Sequence, residues 1–480
     1  MERSTKGGGN AYWYESLPGE IDVAPPVTGR VTADVCVVGG GFAGLWTAIE
    51  LKQRHPDTAV ALVEAAVCGQ GASGRNGGWA TSYWRRLPDL QRKYGYDGGL
   101  AVATGAARAL RDIGAFVAER GIDCDWRQRG GIMAAADPQH VGVWRAAVQA
   151  CEEAGHPGEL RELPADEARR ISGSPLVRAA AEHTDTASVN PARLVRGMRA
   201  AALDLGVRLY EASPMTALDR GAPATVHTPL GRVEADRVVC TLGAWSSALP
   251  ELRRAYVSVG SHIVVTAPLT DIPAWGDGMV FGDTQVSNHY AQVTPDGRLV
   301  FGRGLGSIGG RNAVTARQLD DPGVQRIVAA DLRRLFPQYA RTPLTHAWGG
   351  AVDRTPDGLP SVGTVGPHGN IHYVIGFSGQ GVAQSRYAAR VLASVATGAA
   401  DAYARSGLVG APSAYFPPDP LRTVGGTVVK DTVQACERLR SLGRRSPLDR
   451  AALSRLVGAR MPRVIEPRLW GHGRQGGNRR

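Results

Sequence analysis

Lysine is almost missing from this chain: in 480 residues it occurs only at positions 6, 52, 93 and 430. Long apolar runs are missing as well. No stretch approaches the ~18 consecutive apolar residues that a membrane-spanning helix needs, so no membrane span is expected. The opening MERSTKGGGNAYWYESLPGE has no apolar h-region, so no secretory signal is expected. Cysteine is sparse too. The six thiols, at 36, 68, 124, 151, 240 and 436, form neither a CxxC pair nor a disulfide framework. Cys36 and Cys240 lie within apolar strand-like runs, which suits buried free thiols and a reducing cytoplasm.

Acidic residues are scarce in one place only. Residues 438–480 carry twelve arginines against Asp449 and Glu466, twelve minus two, or +10 of the whole chain's +11. The rest is nearly neutral, so the body offers no broad basic surface for nucleic acid. The arginine-rich tail reads as compositional bias rather than a nucleic-acid or membrane contact. Its last residues, QGGNRR, are expected to be disordered.

What is present is a β-α-β unit. DVCVV at 34–38 reads as a buried strand, residues 43–54 carry helical spacing, and AVALV at 59–63 forms a second strand. Between strand and helix lies Gly39-x-Gly41-x-x-Gly44, and Glu64 closes the second strand. Gly39 permits the tight turn, Gly41 lets backbone approach a pyrophosphate, and Gly44 lets helix and strand pack closely. The helix N-terminus supplies N–H groups, and Glu64 is placed for two ribose hydroxyls. The absence of a nearby arginine argues against a 2′-phosphate.

That motif serves NAD and FAD alike. The stretch GASGRNGG at 71–78 separates them, because a second bare loop permits a second close backbone approach. Ser73 is placed to donate to a phosphate and Arg75 to offset charge, while Asn76, Gly77 and Gly78 are placed to face a heterocycle. Late in the chain WGGAVDRTPDGLPSVG (348–363) and HYVIGFSGQGVAQ (372–384) supply a strand, a glycine turn and a helix start. Residues 100–120, 139–154, 190–206 and 381–398 read as helices, with Asn190 as N-cap. Residues 207–213, 224–228, 232–243, 256–266 and 288–302 read as strands, the last a hairpin on Pro-Asp-Gly.

The combination of GGGFAG, Glu64, GASGRNGG, NPARLV at 190–195, CTLGAWS at 240–246 and GFSGQGV at 376–382 resembles the D-amino-acid-oxidase-type (DAO) FAD oxidoreductases. GASGRNGG is similar to their γ-glutamylputrescine oxidoreductase branch. The resemblance spans about residues 11–422. It implies an α/β fold: a Rossmann-like FAD domain with an interleaved mixed α/β substrate domain on an antiparallel sheet. The expected segments are 10–85, 181–258 and 345–408 for FAD, 86–180 and 259–344 for substrate, and 409–480 as an extension.

By the resemblance, Gly39, Gly41, Gly44, Glu64, Ser73, Asn76, Gly77 and Gly78 contact FAD. Met215 sits beside the adenine, Gly243 by the pyrophosphate, and Gly350, Gly379, Gln380, Gly381 and Val382 line the flavin. The helix start at 379–382 suits the negative charge of a reduced flavin. Some relatives attach FAD through a late cysteine or an early histidine. Neither has a counterpart here, so FAD is expected to be noncovalent. The lysine that some relatives use toward O2 is missing, which leaves O2 or another acceptor open.

The implied chemistry is oxidation of an amine or amino-acid C–N bond by hydride transfer to flavin N5, with hydrolysis of the imine product. Candidate pocket residues are His262, His289, Tyr290, Gln292, Arg303 and Trp348. Each also has a structural reading as an ordinary strand, surface or core residue. Alternatives are an NAD(P)H-using flavin monooxygenase, for which no second nucleotide motif is visible, and a non-catalytic dinucleotide-binding scaffold with a nucleic-acid-binding tail. Residues after Cys436 are expected to be dispensable for turnover.

Overall fold

The computed structural model describes residues 11–17, 19, 22–449 and 451–452. The end of the arginine-rich tail, QGGNRR included, lies outside the described residues. Strand Gly29–Val38 runs parallel to Val60–Val63 on one side and to Gly231–Cys240 on the other. Arg208–Tyr210 extends the sheet beyond Val60–Val63, and Ile371–Ile375 followed by Ser361–Val365 extends it beyond Gly231–Cys240.

Both faces of this sheet are buried, as a parallel sheet requires. Val35 and Val37 face a core shared with helices Phe42–Arg54, Pro191–Asp204 and Gly381–Thr397. Cys36 and Val38 face the opposite core, which contains the Ala217–Asp219 and Ala224–His227 meander. Asn190 caps its helix as expected, its side chain accepting from the Arg193 N–H. Gly44 is where helix and sheet meet: a Cβ there would lie 1.8 Å from the Gly39 carbonyl oxygen.

The second sheet is mostly antiparallel. Its order is Leu344–Arg354, Val257–Pro268, Arg298–Arg303, His289–Val293, Val280–Asp283, Gly131–Ala135, Ala179–His183 and Leu160–Leu163. Leu344–Arg354 and most of Ala179–His183 pair here. The strand at 344–354 enters a segment read from sequence as dinucleotide-binding, and the 181 boundary falls within Ala179–His183. Helix Pro322–Leu335 covers one face, burying Val328 and Leu332 against Val264, Phe281 and Phe301. The other face turns toward the first sheet.

Two helices differ from the sequence reading. The one expected over 100–120 spans Leu87–Glu119, with a kink at Gly95 (φ 77°). Three glycines at 95, 98 and 99 lower helix propensity there, and packing overrides them. The one expected over 139–154 is helical only over Arg145–Glu153. Ala165–Ser172, Pro322–Leu335 and Leu421–Ser441 were not expected from sequence; in the last, Gly425, Gly426 and β-branched neighbours weaken the periodic signal.

Gly44→Ala is expected to destabilise the protein by about 1–3 kcal/mol or more through overpacking. Gly425→Ala, in a helix interior with open space at the added Cβ, is expected to stabilise it by about 0.5–1 kcal/mol. Denaturant midpoints of the two variants test the contrast.

Candidate active site

A cavity of about 1180 Å3 lies between the two sheets, larger than the ~300–1,000 Å3 usual for drug-sized ligands. Its lining begins at the Gly39–Ala43 turn, where the Phe42–Arg54 helix opens. Ser73 Oγ accepts from the Phe42 N–H at 2.9 Å. Glu64 lines the cavity, its carboxylate accepting from Gly40 N–H at 2.6 Å and Ala66 N–H at 3.0 Å. Burial raises its pKa, against the pull of those two N–H groups.

The bare loop of GASGRNGG forms part of the wall. Outside donors hold its carbonyls and that of Gly69 just before it. Tyr14 donates to Gly69 at 2.7 Å, Trp348 to Arg75 at 2.7 Å, Trp13 to Asn76 at 2.8 Å and Gln292 to Gly77 at 2.7 Å. The Asn76 side chain is spent within the loop, donating to Ser73 O and accepting from the Gly78 N–H.

The residues read from sequence as cofactor-binding divide unevenly. Gly39, Gly41, Glu64, Ser73, Arg75, Asn76, Gly77, Met215, Gly243, Gly350, Gly379, Gln380, Gly381 and Val382 all line this cavity. Gly44 and Gly78 do not. Gly44 packs helix on sheet, and a Cβ on Gly78 would strike Gln292 Nε2 and the Val189 carbonyl.

Of the six candidate pocket residues, only Tyr290 lines the cavity. The reason is strand alternation. His262, His289 and Arg303 are register neighbours across three strands, so all three point to the helix-covered face. His262 Nε2 lies 3.0 Å from the Arg317 carbonyl. His289 is held between Asp283 (2.6 Å) and Asp331 (3.0 Å), and Arg303 lies 3.4 Å from Glu437. On the opposite face Tyr290 crosses Gly302, where a Cβ would come within 2.1 Å of its ring. Its hydroxyl hydrogen-bonds Ser261 Oγ at 2.7 Å. Gln292 shares that face but is committed to Gly77 and Val189, and Trp348 braces the loop from behind.

Other lining residues had no place in the sequence reading: Trp79, Arg85, Met133, Trp144, Asp353 and Arg354. Arg85 directly follows the apolar WATSYW, and a cation adjoining such a run was the available signal. Burial pushes Asp353 up to about 6, against the N–H groups of Gly376 and Phe377.

The residues present fit a dinucleotide-type cofactor. A helix N-terminus and a half-buried carboxylate at a strand end are suited to a diphosphate and a ribose. A second helix N-terminus, at Gly381, and the side-chain-free wall at Gly77, Gly350 and Gly379 suit a flat ring system. No cysteine, histidine or lysine occurs among the lining residues.

Glu437, on the C-terminal helix, accepts from both the backbone N–H and the hydroxyl of Ser287, itself in the cavity wall. The boundary of the dispensable tail therefore moves beyond Cys436. Glu437→Ala is expected to cost about 1–3 kcal/mol, since it leaves the Ser287 N–H and hydroxyl without their acceptor and Arg303 with Asp331 alone; equilibrium unfolding measures it.

Burial alone would depress the His289 imidazolium, but Asp283 and Asp331 overrule it and push it up to about 9. Its contribution to stability is therefore complete below about 6.5 and lost as pH rises through about 9. Both carboxylates are held below their ordinary range, so their contribution disappears only on acidification. Melting temperature is expected to fall between pH 6.5 and 9.5, and His289→Gln to flatten that slope.

Comparison with known proteins adds the following. The family model described as FAD dependent oxidoreductase (DAO) matches residues 34–395. The gamma-glutamylputrescine oxidoreductase of Escherichia coli (strain K12) is 30% identical over 383 residues, covering 78% of this chain and 85% of that protein. The glycine oxidase of Pseudomonas putida is 25% identical, covering 77% and 96%. Among solved structures, glycine oxidase from Geobacillus kaustophilus superposes with a TM-score of 0.64 at 20% identity, covering 78% and 96%. L-proline dehydrogenase from P. horikoshii does so with 0.64 at 19%, covering 77% and 94%. Among the described residues no helix is long and apolar enough to cross a membrane.

Proposed function

The chain belongs to the FAD-dependent oxidoreductase (DAO) family, and from that premise we propose that it oxidises the C–N bond of an amine or amino acid. The observation that carries the reading is the cavity itself. One continuous space joins the Gly39–Ala43 turn and Glu64 to the Gly379–Val382 helix start and to Tyr290. FAD held there would supply a two-electron acceptor for the hydride on the carbon beside the amine nitrogen, and water would hydrolyse the imine left behind to a carbonyl compound and an amine.

The chain's own residues bind, orient and exclude water. Glu64 is placed to hold ribose hydroxyls, with Ser73 and the first turn of the Phe42–Arg54 helix at the diphosphate. Gly350 and the Gly381 helix N-terminus offer backbone to the ring system, the latter favouring negative charge there. Tyr290 and Ser261 present a hydroxyl pair toward the space left for substrate. Burial pushes the Tyr290 hydroxyl up to about 12, so it acts as a neutral donor or acceptor and orients substrate rather than removing a proton.

The lack of cysteine and histidine in the lining supports noncovalent FAD. The six cysteines are free and buried, which supports a reducing, cytoplasmic setting. The electron acceptor is O2 or another oxidant that reaches the reduced cofactor.

Purified protein is expected to be yellow and to release FAD on denaturation. Bleaching by amines under anaerobic conditions, without NAD(P)H, is the expected signature; bleaching only by NAD(P)H would replace the reading with a monooxygenase. Glu64→Ala is expected to weaken FAD affinity about 10-fold or more, the loss of a hydrogen-bonded charged group. Equilibrium dialysis checks it, and unchanged affinity would refute the ribose assignment.

A further inference from the structure

The C-terminal helix Leu421–Ser441 packs by one face and leaves the other bare. Val433, Cys436 and Glu437 are buried against the body. A surface helix packed in this way ordinarily turns polar side chains to water. This one turns out Leu421, Val424, Val428 and, at its C-cap, Leu442, which are 67%, 60%, 59% and 61% exposed. Among the described residues, Leu230 at 63% is the only other large apolar side chain as exposed as these. Four of them in one stripe mark a contact surface.

The stripe runs on through Asp431, Ala435 and Arg438, all exposed, so that its members alternate strictly between spacings of three and four over 421–442. That is the a/d seam of a coiled coil, which takes a second helix. The seam is narrow. Gly425, Thr427, Thr432 and Gln434 flank it, without the lysines and arginines that bring an amphipathic helix to anionic lipid.

The seam's two charges point to its occupant. Asp431 meets Lys430, its chain neighbour, at 2.7 Å, and Arg438 forms no ion pair among the described residues. In a parallel pair of copies Asp431 would face Asp431 and Arg438 would face Arg438. An antiparallel pair sets a positions against d positions. Val424 then packs on Leu442 of the second copy and Asp431 on its Ala435. Arg438 of the second copy packs on Val428, one layer away, where its guanidinium reaches the Asp431 carboxylate. A two-fold axis makes every such contact twice. The antiparallel sense also separates the arginine-rich segments, each +10 over residues 438–480. They leave from opposite ends of a seam roughly 30 Å long, beyond the ~10 Å over which salt lets charges interact.

We propose that the exposed face of Leu421–Ser441 pairs antiparallel with the same face of a second copy of this chain. The proposal is independent of the amine-oxidation reading. The packed face of the same helix holds Ser287 of the cavity wall through Glu437, so the second copy covers the element that braces that wall.

Sedimentation equilibrium of the full-length holoenzyme at micromolar concentration is expected to show twice the mass of one chain. Val424→Lys is expected to weaken association about 10-fold or more, because it buries an unpaired cation against Leu442 of the second copy. Asp431→Arg and Arg438→Asp each set like charges together twice, and each is expected to weaken it about 10-fold or more. The two reversals combined are expected to restore it. Far-UV circular dichroism and the flavin spectrum are expected to be unchanged in all of these variants. A wild-type monomer overturns the proposal, and binding to phosphatidylserine vesicles in its place would assign the face to a membrane. A dimer indifferent to Val424→Lys overturns it too, by placing the contact elsewhere. So does a combined reversal that fails to restore association, since only antiparallel self-pairing brings Asp431 to Arg438.

Discussion

Four hydrogen bonds hold the glycine-rich loop in place, and the shape of the cavity depends on them. Tyr14, Trp13, Gln292 and Trp348 each donate to a carbonyl between Gly69 and Gly77. The loop's own bonds, among them Gly74 N–H to the Gly69 carbonyl and those of the Asn76 side chain, set its turn, and the four outside donors fix where it lies. The donors come from the N-terminal segment and from two strands of the second sheet. The wall that serves the first sheet's ligand is thus fixed by the second, which makes the two units one site. Both sheets thus contribute to the position of the loop that walls the cavity.

The second sheet divides its labour by face. One side carries His262, His289 and Arg303 toward the covering helix, where Asp283, Asp331 and Glu437 neutralise the last two. The other side carries Ser261, Ile263 and Tyr290 toward the cavity. Buried charges that find partners become structure, whereas Arg75, Arg85 and Arg354 line the cavity with no ion pair among the described residues. That contrast separates scaffold from site here better than residue type does, since the histidines and Arg303 had the more suggestive chemistry. The C-terminal helix joins the scaffold through Glu437, so the extension takes part in shaping the cavity wall at Ser287.

Much of the first sheet was legible in the chain. Gly39, Gly41, Gly44 and Glu64 act through spacing that a local β-α-β unit imposes, and the cavity lining contains them except for Gly44, whose task is packing. The hairpin at His289–Arg303 and the Asn190 cap were legible for the same reason: a turn or a cap is a matter of adjacent residues. The Leu421–Ser441 helix was not, because its stability comes from packing Val433 and Cys436 against Val257 and Val259 rather than from its own propensity.

Sequence by itself determined the family, the cofactor type and much of the glycine-rich backbone that lines the cavity, because those features are short-range patterns of glycine, strand and helix start. Only the tertiary structure decided which polar side chains reach the cavity. A strand buried on both faces has no polar–apolar alternation to mark which side is which. His289 and Tyr290 are neighbours in the chain, yet one lies in an ion-pair network under a helix and the other at the site. The same holds for Arg85 and Arg354, 269 positions apart in the sequence, which line one cavity only once the chain has folded.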